Sequence, residues 1–172
     1  MEATLENKVS QLNSFDLPAI HEASNKTFFN PANFYAIYNR MGLLKLTAKR
    51  RWGKMNVVQM VNHLKVATGS AIGMYKLKDE SSFLWRVILK FLALRFLRRL
   101  PRNVRAAEGF KMEMNNVLDF DSEKEQALSV LKKAYATTNT FYIHPLFGKM
   151  SREDWGRLIY RHFDHHLRQF NS

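Results

Sequence analysis

SREDWGRLIYRHFDHHLRQF, residues 151–170, is the stretch on which the reading of this chain turns. Ser151 followed three residues later by Asp154 makes a capping box, and Trp155, Leu158, Ile159, His162, His166 and Phe170 recur at helical spacing. The segment therefore predicts a helix with one core-facing stripe, and two histidines belong to that stripe. At 3.6 residues per turn, His162 and His166 sit roughly 40° apart and about one turn along the same face, a spacing that can chelate one metal ion. His165 lies roughly 100° from His166 around the axis and so belongs to a neighbouring face. A histidine pair on a helix is not by itself a site. A third ligand from another helix would make it one, and the candidate is His63.

Working back from this helix, FYIHPLFGKM reads as a loop, with proline, glycine and aromatic residues. Before it, Asp121 or Ser122 is expected to cap a third bundle helix with Glu123 and Glu125 in its first turn, ending around Thr137 to Thr140. Ala127, Val130, Leu131, Ala134 and Tyr135 form its apolar face. From Leu77 to Asp121 the chain reads as a crossover, with an apolar middle, FLWRVILKFLALRFLRRL, stopped by Pro101. Arg86, Lys90 and Arg95 interrupt that middle too often for an unassisted membrane span, and it is short for one. A connecting helix packed on the bundle or at a dimer contact is preferred to an interfacial membrane helix, although a basic amphipathic helix is a membrane signature. The segment from Asn103 to Leu118 is expected to be loop, with Phe110, Met112 and Met114 tucked onto the core.

Earlier still, Asn56 with Gln59 three residues on resembles a capping box with amide partners. Val57, Met60, Val61, Leu64 and Ala67 then mark a stripe running toward Met74 and Tyr75, which predicts a long second helix. His63 falls on the edge of that stripe and is expected to face the interior. Asn30-Pro31 supplies an N-cap and a proline at the first helical position, followed by Phe34, Ile37, Tyr38 and Met41 at helical spacing. Gly42 and the basic run Lys45 to Arg51 end this first helix and lead into Trp52-Gly53. Residues 1–29 read as a short amphipathic helix near Leu5 to Leu12 and an extended arm, with His21 at the surface.

Composition bounds the answer. A chain of 172 residues with 46% hydrophobic content is long enough for one domain with a real core and too short for two comfortable ones. The expected organisation is a single domain over 1–172, with an arm at about 1–29 and a bundle at about 30–170. There is no cysteine, so disulfides, thiolate zinc sites and cysteine nucleophiles are excluded, and a metal must be held by imidazole or carboxylate. MEATLENKVSQLNSF carries acids and amides where a signal peptide would need a basic start and an apolar run, so a cytoplasmic protein is expected. Lys and Arg outnumber Asp and Glu by 27 to 15, a formal charge of +12 that suits nucleic acid, an anionic membrane or an anionic substrate without choosing among them.

Four stretches taken in order carry a resemblance: Trp52-Gly53-Lys54-Met55; Met60 to Leu64 around His63; His144-Pro145-Leu146-Phe147-Gly148; and His162 to Phe170. Together, over roughly Phe28 to Phe170, they resemble the DinB-like superfamily, within it a branch of uncharacterised domains carrying HPxFG and DHHLRQF patterns. The resemblance implies an all-α fold, a four-helix bundle with a long helical crossover between its second and third helices, often assembled as a homodimer. It also implies a divalent metal, commonly nickel or zinc, bound by one histidine of the second helix and an HxxxH pair of the fourth. Those positions are His63, His162 and His166 here. Some superfamily members are thiol-dependent transferases or isomerases; the branch resembled here implies a site more readily than a reaction.

Three neutral imidazoles from two facing helices would leave an open position on the metal, where water or an anionic substrate atom can bind, and such a metal lowers the pKa of bound water or of a coordinated thiol, making a nucleophile near neutral pH. The bland alternative is three separately satisfied polar residues, which is preferred for any one histidine, whereas the triad taken with the resemblance favours the metal. Around it, His144 is expected at the mouth of the site or at a helix end, and Asp164, His165 and Gln169 either orient the ligand imidazoles or serve packing and solvent. Trp52 and Trp155 are expected to fill core; Arg168 and Lys54 could draw an anion toward the metal but read first as a solvated face. The leading functional expectation is a metal-dependent transferase or hydrolase activating a thiol or water for a small-molecule substrate. The alternative is a binding module whose cationic crossover, residues 84–105 and chiefly Arg95, Arg98, Arg99, Arg102 and Arg105, contacts nucleic acid or membrane.

Overall fold

Each helix starts where a side chain can satisfy its first free amides, and each start also fixes which face turns inward. The structure, a computed structural model, describes residues 26–75, 88, 90, 91, 99–102, 119–138 and 143–172. Four α-helices are assigned in chain order: α1 (Pro31–Gly42), α2 (Val57–Ala71), α3 (Phe120–Ala136) and α4 (Arg152–Gln169). There is no β-strand among the described residues. The Asn30 side chain accepts from the Asn33 N–H with Pro31 at the first turn, as expected. Asn56 and Gln59 form a reciprocal capping box, and Ser151 accepts from the Asp154 N–H.

Two boundaries differ from expectation. The cap of α3 is Asp119, whose side chain accepts from the Ser122 N–H at 2.7 Å, rather than Asp121 or Ser122. Starting there carries Phe120 into the core and leaves Asp121 and Glu123 as the first-turn acids. The second helix stops at Ala71, short of Met74 and Tyr75. Gly73, at φ 76°, turns the chain, and the Met74 N–H closes back on the Gly69 carbonyl at 2.8 Å, the six-to-one bond of a Schellman motif. Met74 is left exposed.

α1 and α2 each pack against both α3 and α4, so α2 shares one seam with α3 and another with α4. The core between the helices holds Ile37 and Met41 from α1, Met60, Val61 and Leu64 from α2, Leu131 from α3, and Phe163 and Leu167 from α4, all essentially inaccessible to solvent. Each such side chain contributes about 1.5–3 kcal/mol through removal from water. Phe34 of α1 stacks on Tyr135 of α3 with ring centroids 4.1 Å apart. Phe28, assigned to the arm from sequence, is fully buried: its N–H donates to the Gly156 carbonyl of α4 at 2.9 Å, while Thr27 and Phe29 lie against the space where Gly156 lacks a side chain.

Among the described residues no helix is long and apolar enough to cross a membrane. Of the crossover, Ile88, Lys90 and Phe91 are helical, and Lys90 reaches the Lys149 carbonyl and the Asp154 carboxylate. Residues 99–102 are not helical, and the remaining crossover positions, with Arg86, Arg95, Arg98 and Arg105, lie outside the described residues, as do the helix near Leu5 to Leu12, His21 and the loop positions Phe110, Met112 and Met114.

Candidate metal centre

The seam between α2 and α4 brings together three histidines from the two stripes. His63, on α2, and His162 and His166, on α4, each offer one ring nitrogen, and these nitrogens lie within 4.8 Å of one another. His63 Nε2 and His162 Nε2 are 2.9 Å apart. The rings meet edge to face, with centroids 4.8 Å apart for His63 and His162, 5.0 Å for His63 and His166, and 4.8 Å for His162 and His166. Tetrahedral nitrogen ligands at about 2.0–2.1 Å from one ion stand about 3.3 Å apart. The closest pair is within a few tenths of that spacing, and rotation of the side chains supplies the remainder.

Burial and the proximity of like groups disfavour the charged forms of His162 and His166. His63 and His166 are buried; His162 retains some accessible surface as a residue while its imidazole is densely surrounded by protein. Burial, and then the neighbouring imidazoles of His166 and His63, hold the His162 pKa well below the ordinary histidine value. Burial and the nearby His63 bring His166 down to about 3, against a partial rise from its bond to Gln169. At neutral pH both rings therefore present lone pairs rather than positive charges.

Gln169 settles which lone pair His166 presents. Its side-chain Nε2 donates to the Trp52 carbonyl at 2.6 Å, so its Oε1 is the atom facing His166 Nδ1 at 2.9 Å and must accept from it. The proton sits on Nδ1, and Nε2 is the free base. The partner loop is shaped for this contact: the Arg51 N–H donates to the Gln169 carbonyl at 2.8 Å, and Gly53, at φ 79°, brings its backbone against the Gln169 amide where a Cβ would collide. The Trp52-Gly53 turn and the helical spacing from His166 to Gln169 thus form one clamp.

The other sequence candidates separate. His165 is buried beside the cluster, edge-on to Trp52 at 5.8 Å and to His166 at 5.0 Å, outside the group of three nitrogens. Burial, then Arg168, lower its pKa, opposed by a hydrogen bond to the backbone of Leu100. Asp164 turns to α1, pairing with Arg40 at 2.9 Å and with Arg168 at 2.8 Å. Arg168 is thus engaged in an ion pair, and Lys54 is exposed with its carbonyl accepting from Arg50 at 2.6 Å. Trp155 is core, whereas Trp52 is half-buried under the Arg102 guanidinium, 4.2 Å from its ring centroid. His144 is buried in the 143–150 loop, stacked on Phe147 at 4.5 Å and tilted against Trp155 at 5.3 Å; burial lowers its pKa to about 3.

A second buried polar cluster occupies the other seam of α2 and was not anticipated. Lys65 Nζ lies 2.7 Å from Glu123 Oε2 and 3.1 Å from Gln126 Oε1, and Asn62 donates to the same Glu123 oxygen at 3.0 Å. Its signal in the sequence is Lys65, directly following Leu64, in a helix whose other residues from Val57 to Ala71 include no Asp, Glu, Lys or Arg.

A family model described as "Protein of unknown function (DUF1569)" matches residues 29–172, which takes in all four helices and every residue of the histidine cluster. No curated protein and no solved structure matches the chain.

Proposed function

We propose, from the premise that this chain belongs to the DUF1569 family, that it is a DinB-like four-helix bundle in which His63, His162 and His166 hold one divalent cation, nickel or zinc. The observation that carries the reading is the convergence of three ring nitrogens within 4.8 Å across the α2–α4 seam. The donor set fits such an ion: neutral imidazoles suit nickel and zinc, and three protein ligands leave a position for a substrate atom, as catalytic sites do and closed structural sites do not.

The chain's own part is to hold His162 and His166 neutral and to orient His166. Gln169 keeps the His166 proton on Nδ1, and Leu64, Phe163 and Leu167, each next to one of the three histidines in sequence, are buried in the core. A bound cation would supply Lewis acidity, polarising an oxygen or sulfur ligand and lowering its pKa. The reaction class supported is a transferase or hydrolase acting on a small molecule with a thiol or water as the second reactant. The excess of basic residues suits an anionic substrate, as it would any anionic partner.

Metal analysis of protein prepared without a histidine tag tests the reading. One equivalent of nickel or zinc is expected in the wild type, and a large loss in His162→Ala and in His63→Ala. Equal stoichiometry in all three proteins would remove the site.

A further inference from the structure

The chain between α1 and α2 is pinned at both ends and presents its middle to solvent. Leu44 is buried in the core, its N–H donating to the Met41 carbonyl at 3.2 Å and its own carbonyl accepting from Lys124 Nζ at 3.4 Å. At the other end the Arg51 N–H holds the Gln169 carbonyl at 2.8 Å. Between these anchors the Ala48 N–H closes a turn on the Lys45 carbonyl at 3.0 Å, with Leu46 and Thr47 at its tip. Two leucines stand out of this frame: Leu43 is 77% exposed and Leu46 60%. The core position in this stretch is already filled by Leu44, so the other two have no inward place to take.

A single exposed leucine is ordinary on a protein surface. These two lie in a strongly basic setting. Residues 43–54, LLKLTAKRRWGK, contain five cations, Lys45, Lys49, Arg50, Arg51 and Lys54, and no acid. All five are exposed, and none of them forms an ion pair among the described residues, where Asp164 is engaged by Arg40 and Arg168 and Glu123 by Lys65. Arg50 Nη1 donates to the Lys54 carbonyl at 2.6 Å, which folds the two ends of the last basic run together. Arg102, also exposed, adds a sixth cation by lying over Trp52, 4.2 Å from its ring centroid.

Several anionic partners suit a basic surface, and the leucines choose among them. A single-stranded nucleic acid would use the cations together with a free aromatic face for its bases. The aromatic residue in this stretch, Trp52, has Arg102 over its ring and His165 edge-on to it at 5.8 Å, and exposed leucines gain nothing from a phosphate backbone. A bilayer surface uses both features at once: anionic headgroups meet the cations, and apolar side chains enter the boundary beneath them. We propose that residues 43–54 are a membrane-docking surface, in which Leu43 and Leu46 insert into the interface of an anionic bilayer while Lys45, Lys49, Arg50, Arg51 and Lys54 lie on its headgroups. The protein then rests on the bilayer by this loop, and the docking does not require a bound metal.

The test is sedimentation of full-length protein with vesicles of phosphatidylcholine alone or with about one-third phosphatidylserine, at rising salt. Binding is expected to the anionic vesicles only, and it should weaken as salt is added. Lys45→Gln with Lys49→Gln should weaken it about 25-fold, at about fivefold for each cation near the surface. Leu43→Ser with Leu46→Ser should weaken it about tenfold or more. All four side chains are exposed, so melting temperature and metal stoichiometry should be unchanged in both variants. If the double leucine variant melts early, Leu46→Thr at the turn tip takes its place, with a smaller loss of binding expected. Absence of wild-type binding to the anionic vesicles overturns the proposal. So does a lysine variant that binds them as well as the wild type, since the attraction then lies elsewhere on the molecule, and so does undiminished binding by the leucine variants, since positive charge alone then accounts for it. Binding to a labelled single-stranded oligonucleotide that the lysine variant weakens and the leucine variant does not, with no vesicle binding, assigns the surface to nucleic acid instead.

Discussion

Helix α2 carries two buried polar clusters on its two seams, and they obey opposite rules. Toward α3, Lys65 and Glu123 cancel each other's charge, and Asn62 and Gln126 occupy further hydrogen-bonding positions on them. Toward α4, His63 meets two more histidines, and the ligand atoms grouped there among the described residues are all imidazole nitrogens. Both lie in low-dielectric surroundings where an uncompensated charge is expensive. The first cluster avoids that cost by pairing its charges; in the second, burial holds His162 and His166 neutral. A lysine and a glutamate that cancel each other leave little capacity for a ligand, whereas each neutral imidazole keeps one unprotonated ring nitrogen. Two of the three rings meet through their Nε2 atoms at 2.9 Å, a single weak contact where the other cluster has an ion pair with two further hydrogen bonds.

The largest expected effect comes from breaking the closed cluster. Glu123→Ala strands a buried ammonium, and urea unfolding should show a loss of about 3–5 kcal/mol with metal stoichiometry unaltered in the folded fraction. The double change Lys65→Met with Glu123→Leu should recover most of that stability; if it does not, the pair is doing more than cancelling charge. The open cluster behaves in the reverse way. At a free nickel or zinc concentration a hundredfold above Kd, the wild type should gain about 2.7 kcal/mol of stability in thermal unfolding, and His63→Ala and His166→Ala should gain none.

A smaller effect sharpens the role of the clamp. Gly53→Ala forces a side chain into a left-handed backbone position and against the Gln169 amide, with an expected cost of about 1–2 kcal/mol. Metal affinity should fall about 10- to 100-fold with it, measured by competition against a chelator; undiminished affinity would separate Gln169 from the site. The most gradual effect is with pH. Unfolded His144 and His166 take up protons near the ordinary value of 6.5, whereas in the native protein both stay neutral down to about 3. Between these values the unfolded state binds more protons, so stability is full above the upper one and declines as pH falls toward the lower. The slope is about 1.4 kcal/mol per pH unit for each histidine. Replacing His144 by Asn should reduce that slope in pH-dependent urea titrations of the metal-free protein.

Helix starts were legible because capping is local: Asn30-Pro31, Asn56 with Gln59, and Ser151 each contain their own hydrogen-bonding partners within three residues. The start of α3 was not, since Asp119, Asp121 and Ser122 are all competent caps and the burial of Phe120, a tertiary fact, selects among them. The overrun of α2 has a similar origin. Met74 and Tyr75 continue the apolar spacing in the sequence, but a left-handed Gly73 breaks the helix first. The grouping of His63, His162 and His166 could be read because all three belong to apolar stripes, which point inward whatever the fold. Asp164 could not be placed by the same means, because its partner Arg40 lies on α1, far away in sequence. The Lys65–Glu123 pair was missed because a lone lysine in a helix usually reaches solvent, and nothing near it in sequence names its acid.

Phe28 and Gly156, taken together with Gly53 and Gln169, have a mechanical meaning. Near its beginning α4 is seated on the strap of residues 27–29, in the hollow left by a missing side chain; at its end it is seated on the turn of residues 51–53 in the same manner. A rod with a shoulder at each end cannot slide lengthwise, even when its packed sides would permit a shift of one turn. The axial position of His162 and His166 opposite His63 is thereby keyed by chain outside the helices, so the alignment of the three imidazoles resides as much in two short connecting segments as in the helices that carry them.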